Sequence, residues 1–278
     1  MTLRATLCAA LLALAAPAQA ETGGIVSIGG AITEIVYALG AGDRLVARDT
    51  TSMFPEAALA LPDVGYMRAL SPEGVLSVGP TLILADSNAG PPETIAVLQQ
   101  AAVPLVLILD TFSAEGIRAK ILAVGEAIGE TEKADTLADQ VTADLSSAAD
   151  KAAQEPAKKR VLFILSAAGG RLMASGAHTA ADAMLTLAGA ENAIQGFDGY
   201  KPVTDEAILA AAPDAILMMD RSGDHDSPVD QLIALPAIAA TPAGQSRAVI
   251  RMDGLYLLGF GPRTAQAVSD LNAALYGE

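Results

Sequence analysis

The sequence predicts an α/β protein with two similar lobes, each built on a mostly parallel sheet, and one long helix between them. Apolar segments of strand length alternate with segments of helical spacing, which is typical of parallel sheets covered by helices. A unit of capping residue, acidic helical turn, proline and apolar strand occurs around Glu73 and again around Glu206, 133 residues later. Such a repeat indicates two lobes of similar construction. Residues 131–154 form a polar-faced amphipathic helix near the middle of the chain.

The first 20 residues are predicted to be a cleavable export signal. Arg4 precedes an apolar stretch over residues 7–16, and Ala18-Gln19-Ala20 has the small-residue pattern of a signal-peptidase site. The only cysteine, Cys8, lies ahead of most of the apolar stretch, which is not the position of a lipid-anchor cysteine. We therefore expect a soluble, exported mature chain that begins near Glu21 and contains no cysteine.

Charge and hydropathy exclude two classes of function. The formal net charge of −15 leaves no basic surface of the kind that nucleic acid requires. After the predicted signal there is no uninterrupted apolar run of about 18 residues, so no later membrane-spanning helix is expected. The remaining chain is long enough to bury a stable core without disulfides.

The N-terminal lobe is assigned to residues 21–130. Strands are predicted at 23–28, 45–47, 81–85 and 105–109, and helices at 31–39, 72–78, 93–101 and 114–128. The turn at Gly29-Gly30 does not match the GxGxxG pattern of dinucleotide sites. It favours a loop that faces a ligand, because glycines let backbone amides approach a ligand closely.

The connecting helix is assigned to residues 131–155 and the C-terminal lobe to residues 156–278. Strands are predicted at 160–165, 171–174, 215–219 and 248–252, and helices at 180–187, 229–233 and 262–276. The helix over 180–187 ends at Ala188-Gly189-Ala190, as the helix over 31–39 ends at Gly40-Ala41-Gly42. This second correspondence supports the prediction of two similar lobes.

Tyr66 is the strongest candidate for a binding residue. Gly65 precedes it, Arg68 places a cation two residues later, and Ser71-Pro72-Glu73 has the pattern of a helix start. Tyr66 is therefore expected on a loop that enters a rigid helix-strand unit, where binding groups are commonly placed. Tyr37 and Tyr276 are predicted within helices, where packing explains them.

Zinc sites and enzymes are not favoured. The only two histidines, His178 and His225, are 47 residues apart and lack the cluster that a zinc site uses. His178 is expected to cap or flank the helix that begins near Thr179, and His225 to lie in an exposed polar loop. There is no GxSxG nucleophile elbow and no Cys-His arrangement, so the chain is predicted not to be an enzyme.

Five segments spread over the mature chain resemble the haem-specific periplasmic binding proteins of bacterial ABC importers. They are RDTTS (48–52), LPDVGYMRALSPEG (61–74), ASGAHTAADAM (174–184), VTDEAILAAAPDAILMM (203–219) and DGLYLLGFGPRTAQAV (253–268). The resemblance implies two Rossmann-like lobes joined by one long helix, with the ligand in the cleft between them. It implies as partners an ABC permease and its ATPase, and a haem donor such as an outer-membrane receptor. It also implies a periplasmic location; we expect a monomer.

The same resemblance implies roles for individual residues. The axial ligand to haem iron falls on Tyr66, and a phenolate favours ferric haem b. A phenol ordinarily ionises near pH 10, so a cation must stabilise the phenolate at neutral pH; Arg221 and Arg68 are the two candidates. Arg48 and His178 complete the set of expected haem contacts.

The resemblance leaves further expectations about docking, the ligand and its stoichiometry. Glu73 and Glu206 are expected to dock the permease; the alternative is that each stabilises the first turn of its helix. A siderophore or cobalamin receptor on the same scaffold is the alternative function. We prefer haem because it needs one iron ligand and apolar walls, for which Phe54 and Phe260 are candidates. A single haem is expected as well. Some relatives resembled here hold a second haem through a histidine in the turn after the first strand of the second lobe, and residues 166–170 of that turn contain none.

Overall fold

The computed structural model of the protein describes residues 24–167, 171–220 and 229–277. Its first half contains a four-stranded sheet in the order β2-β1-β3-β4, and all neighbouring strands are parallel. The strands are β1 (Ile25–Ile28), β2 (Leu45–Arg48), β3 (Leu82–Asp86) and β4 (Leu105–Ile108). The helices are α1 (Gly30–Ala38), α2 (Pro72–Leu76), α3 (Pro92–Gln100) and α4 (Ala114–Ile128), with 3-10 turns at Gly42–Arg44 and Glu56–Ala60.

The long helix α5 (Thr131–Ala152) follows the first half. It buries Ala134, Ala138, Val141 and Leu145 along one stripe and leaves its other face polar. The stripe packs against α4 on one side and against the last helix of the chain on the other. Helix α5 is therefore shared by the cores of both halves.

The second half contains a six-stranded mixed sheet in the order β10-β9-β5-β6-β8, with β7 beside β5. Its strands are β5 (Arg160–Ser166), β6 (Met173–Ser175), β7 (Glu191–Asn192), β8 (Tyr200–Pro202), β9 (Ala215–Asp220) and β10 (Val249–Asp253). Its helices are α6 (Ala180–Leu187), α7 (Asp205–Ala211), α8 (Val229–Ile233), α9 (Pro236–Ala239), α10 (Pro242–Ser246), α11 (Gly254–Leu258) and α12 (Thr264–Tyr276). β10, β9, β5 and β7 are parallel to one another, whereas β6 and β8 pair antiparallel to their neighbours.

The repeated unit has the same physical construction in both halves. The side-chain oxygens of Ser71 and Thr204 accept hydrogen bonds from the backbone N–H groups of Gly74 and Ala207, which caps α2 and α7. Three further pairs then correspond at the same spacing of 133 residues. They are buried Val75 and Ile208, left-handed Gly79 and Ala212, and buried Pro80 and Pro213.

The predicted α/β class with mostly parallel sheets is confirmed, and the differences concern short elements. The strand predicted at 171–174 lies at Met173–Ser175, and the last helix begins at Thr264 rather than at residue 262. The prediction missed β7, β8 and the three short helices between residues 236 and 258. These elements are too brief to establish a period of 2 or 3.6 residues in the sequence.

One apolar cluster joins the two halves. It includes Ile25, Ile35 and Leu84 of the first half, Phe163 and Leu217 of the second, and the buried stripe of α5. Smaller clusters fill the other face of each sheet. Within the described residues, every helix is either too short or too polar to span a membrane.

Candidate functional site

The candidate site lies where the two halves meet, beyond the carboxyl ends of β1 to β4. Because these strands are parallel, the loops that follow them share one edge of the sheet. Ligands of open α/β sheets bind at this edge. Segment 254–263 of the second half packs against these loops. At Gly30 the approach is so close that a Cβ atom would lie 2.4 Å from Leu255 Cδ1.

A buried carboxylate organises the loop after β2. Asp49 is fully buried, and its Oδ1 accepts hydrogen bonds from the Gly29 amide at 2.9 Å and the Ser52 hydroxyl at 2.7 Å. Its Oδ2 accepts from the Thr51 amide at 2.9 Å and the Thr51 hydroxyl at 2.7 Å. The Ser52 hydroxyl oxygen lies 2.7 Å from the Thr33 hydroxyl oxygen of α1, so the hydrogen-bond network continues into that helix. Asp49 and Ser52 of the RDTTS motif therefore support the loop from inside, whereas Thr50 is exposed.

Arg48 supports the loop that carries Tyr66. Its Nη1 donates to Asp63 Oδ2 at 3.2 Å and to the Asp49 carbonyl at 3.0 Å. Asp63 Oδ1 in turn accepts from the Gly65 amide at 2.8 Å. Arg48 is buried, and within the described residues its Nε has no hydrogen-bond partner. Its contacts with Asp63 and Asp49 place it beneath the loop, so the geometry favours a supporting role over direct contact with a ligand.

Tyr66 lies on the exposed side of this loop. The Thr50 amide donates to the Gly65 carbonyl at 3.0 Å, and Gly65 has a φ of 104°, which a residue with a side chain rarely adopts. The Ala69 amide donates a hydrogen bond to the Tyr66 carbonyl at 2.7 Å, which closes the turn. Both ends of the turn are thus held, while Tyr66 remains 46% exposed.

Exposed apolar side chains share the segment from Met53 to Tyr66. Met53, Phe54 and Leu59 are all more than 40% exposed, although each is large and apolar. We call Met53, Phe54, Leu59 and Tyr66 the apolar rim. Phe260, the other predicted wall residue, is 1% exposed, and its ring lies 5.3 Å from that of Phe112. The expectation that Phe260 forms an accessible wall is wrong, because it belongs to the core between the halves.

One ion pair and one buried lysine connect the halves. Arg263 of the second half donates through Nε to Glu34 Oε2 of α1 at 3.0 Å and through Nη2 to Glu34 Oε1. Burial raises the pKa of Glu34, and the Arg263 partner opposes that rise. Lys120 of α4 is 2% exposed, and its Nζ lies 2.5 Å from Asp110 Oδ1 in the same half. The same Nζ donates to the carbonyl groups of Gly259 and Phe260 in the second half.

The charge of Arg68 acts on a tyrosine of the second half. The pKa of Tyr200 on β8 is raised by burial, and the groups that oppose the rise are the Thr179 hydroxyl, the Ala181 amide and the Arg68 guanidinium. The charge of Arg68 therefore reaches a tyrosine of the other half. Tyr256 and Tyr276 also have raised pKa values, in each case chiefly because of burial. These three partly buried tyrosines are poor candidates for a phenolate.

The remaining candidate residues are dispersed. His178 has a φ of 59°, precedes the Thr179 cap of α6 as expected, and places Nδ1 3.0 Å from Asp198 Oδ1 in an exposed pair. Arg221 and His225 lie outside the described residues. The described residues hold no group of three or more His, Cys, Asp or Glu side chains suited to a metal ion.

Glu73 and Glu206 are both exposed in the first turns of α2 and α7. The backbone N–H of Glu206 and the Thr204 hydroxyl lower the pKa of the Glu206 carboxyl. Its position is that predicted by the 133-residue repeat.

Comparison with known proteins assigns the chain to a family. Residues 25–255 match the family described as "Periplasmic binding protein". The chain belongs to this family. Membership confirms the prediction that the protein binds a transported substrate and is not an enzyme. A relative from Bacillus subtilis, an uncharacterised ABC transporter substrate-binding lipoprotein, is 30% identical over 91% of this chain and 79% of its own length.

Solved structures of the same family are also similar to this chain. Periplasmic heme-binding protein BhuT, in complex with two hemes, is 43% identical with a TM-score of 0.87, over 91% of this chain and 97% of its own. Periplasmic heme-binding protein RhuT from Roseiflexus sp. RS-1, in apo form, is 41% identical with a TM-score of 0.88, over 92% of this chain and 98% of its own. They confirm the resemblance read from the five motifs.

Sequence reasoning did not single out Asp49, Lys120, Tyr200 or Arg263 as site residues. Asp49 and Arg263 lie within the motifs RDTTS (48–52) and DGLYLLGFGPRTAQAV (253–268). The motifs therefore marked these residues, but the sequence did not indicate what they do. Lys120 carries no signal, because a lysine in an amphipathic helix is ordinarily exposed.

Proposed function

We propose that this protein captures ferric haem b between its two lobes and delivers it to an inner-membrane ABC permease. The observation that carries the proposal is Tyr66, an exposed tyrosine on a rigidly held turn beside exposed apolar side chains. A phenolate is a known axial ligand of haem iron. The apolar rim supplies a surface on which the flat porphyrin can lie. The similarity to two heme-binding proteins above 40% identity supports the proposal.

Arg68 and Arg221 are proposed as the cations that stabilise the Tyr66 phenolate or pair with a propionate. Arg68 is two residues from Tyr66, and its charge opposes the rise in the pKa of Tyr200 in the second half. Arg48 would act indirectly, by holding the loop through Asp63. His178 lies in an exposed pair with Asp198 and is proposed only as a peripheral contact.

The proposed organisation follows the family. Residues 1–20 would be a signal peptide, 21–130 the N-terminal lobe, 131–155 the connecting helix and 156–278 the C-terminal lobe. The mature protein would be a periplasmic monomer that receives haem from a donor such as an outer-membrane receptor. The long α5 helix, packed against both halves, favours a modest lobe movement.

Hemin titration tests the proposed ligand and its stoichiometry. We expect the Soret absorbance to break at one equivalent, with the charge-transfer bands of a ferric tyrosinate complex. Cyanocobalamin and a ferric siderophore, added in parallel, should not compete. Because BhuT is described with two hemes, a break at two equivalents is the informative alternative. If that second equivalent disappears in His178→Ala, His178 is the second ligand and the one-haem expectation fails.

Charge reversal tests permease docking. Glu73→Lys combined with Glu206→Lys should abolish haem uptake in cells while leaving the hemin dissociation constant unchanged, because both carboxylates are exposed on the surface. Glu93→Lys with Glu115→Lys is the matched control, since these exposed acids also occupy first helical turns. Normal uptake by the Glu73/Glu206 variant, or equal loss in the control, would reject docking and leave only helix stabilisation of roughly 0.3 to 1 kcal/mol for each acid.

A further inference from the structure

Arg263 is the point at which the second half touches the apolar rim. Its guanidinium carbon lies 3.7 Å from the centroid of the Phe54 ring and 4.9 Å from that of the Tyr256 ring. Glu34 holds the same guanidinium through two hydrogen bonds from different nitrogens. Arg263 is 28% exposed at the side chain, whereas Glu34 is 5% exposed. We call these four residues the Arg263 junction.

The segment that carries Arg263 is fixed by the first half. Lys120 binds the carbonyl oxygens of Gly259 and Phe260 at 3.2 and 3.1 Å. The Thr264 hydroxyl donates to the Gly261 carbonyl at 2.8 Å and closes the turn. The position of the guanidinium is therefore set on both sides, by Lys120 through the backbone and by Glu34 through the side chain.

Phe54, in contrast, lies at the surface. It is 42% exposed and lies in a segment between the Asp49 network and the 3-10 turn at Glu56–Ala60. A flat guanidinium against an aromatic face is attractive for electrostatic reasons, and the planar group of arginine suits it better than the ammonium of lysine.

We infer that Arg263 is a positioning residue that holds Phe54, and with it the apolar rim, in place for the ligand. The inference rests on the proposed function, because it assigns the rim to haem. A wall that is already in position does not have to be ordered when the ligand arrives, which favours tighter binding. Arg263 would act without touching the iron ligand.

Arg263→Lys is the first test, because it retains a cation for the buried Glu34 while removing the planar group. We expect hemin affinity to fall about three- to tenfold, because the planar contact with the Phe54 ring and part of the bidentate pair with Glu34 are lost. The tyrosinate charge-transfer bands should remain unchanged. Hydrogen exchange of the apo protein over residues 50–60 should accelerate several-fold. Arg118→Lys is the matched control, since Arg118 pairs with Asp139 at an exposed position on α4.

Substitutions of Phe54 provide the second test: Phe54→Leu removes the aromatic ring, and Phe54→Tyr keeps it. Phe54→Leu should weaken hemin binding to a similar degree, Phe54→Tyr should bind as the wild type does, and Phe54→Leu should add little to Arg263→Lys. Unchanged affinity and unchanged exchange in Arg263→Lys would overturn the inference. Loss of the charge-transfer bands would also overturn it, because Arg263 would then act on the iron ligand. If the wild type does not bind hemin, the proposed function fails, while the exchange measurement still tests the contact between Arg263 and Phe54.

Discussion

Tyr66→Ala should abolish the ferric tyrosinate charge-transfer bands and weaken hemin binding by about 100-fold or more, which corresponds to roughly 3 kcal/mol. The physical reason is that the phenolate is the only iron ligand assigned to the site. Because Tyr66 is 46% exposed and its turn is held by backbone hydrogen bonds, its replacement should not unfold the protein. Absorption spectra and hemin titration measure both effects.

Tyr66→Phe separates ligation from packing, because it removes only the hydroxyl. It should lose the charge-transfer bands as fully as Tyr66→Ala but retain more residual affinity through its ring. Tyr200→Phe and Tyr256→Phe are the controls, since burial raises the pKa of both phenols. A wild-type spectrum in Tyr66→Phe, or the loss of the bands in either control, would move the iron ligand away from Tyr66.

Lys120→Met should lower the free energy of unfolding by about 3 to 5 kcal/mol, the usual cost of removing one partner of a buried ion pair. The methionine fills a similar volume but leaves Asp110 and the carbonyl groups of Gly259 and Phe260 without their donor. Since these carbonyl groups belong to the other half, the contact between the halves should weaken as well. Urea unfolding followed by circular dichroism measures the change.

Lys133→Met is the matched control. Lys133 is 58% exposed in its pair with Glu130, so its replacement should cost less than about 1 kcal/mol. Combining Lys120→Met with Asp110→Asn should recover part of the lost stability, because the partly buried side chain at position 110 is then neutral. Equal stability of Lys120→Met and the wild type would mean that Asp110 and the carbonyl groups are solvated without Lys120.

Local chemistry made several elements predictable. The helices at Ala114–Ile128, Ala180–Leu187 and Val229–Ile233 have the predicted bounds, because capping residues, glycines and apolar spacing act within a few residues of each other. The repeat around Glu73 and Glu206 was also visible, since cap, left-handed residue and proline recur at fixed offsets.

Tertiary structure alone decided which side chains support the site. The partners Arg263 and Glu34 are 229 residues apart, and Lys120 lies 139 and 140 residues from the carbonyl groups that it binds. No local pattern encodes such pairings, because they arise only when the carboxyl ends of the first sheet meet segment 254–263. The sequence by itself therefore determined the α/β class, the repeat and the exposed tyrosine turn. The burial of Phe260, the role of Arg48 beneath the loop and the contact of Arg263 with Phe54 depend on how distant segments pack.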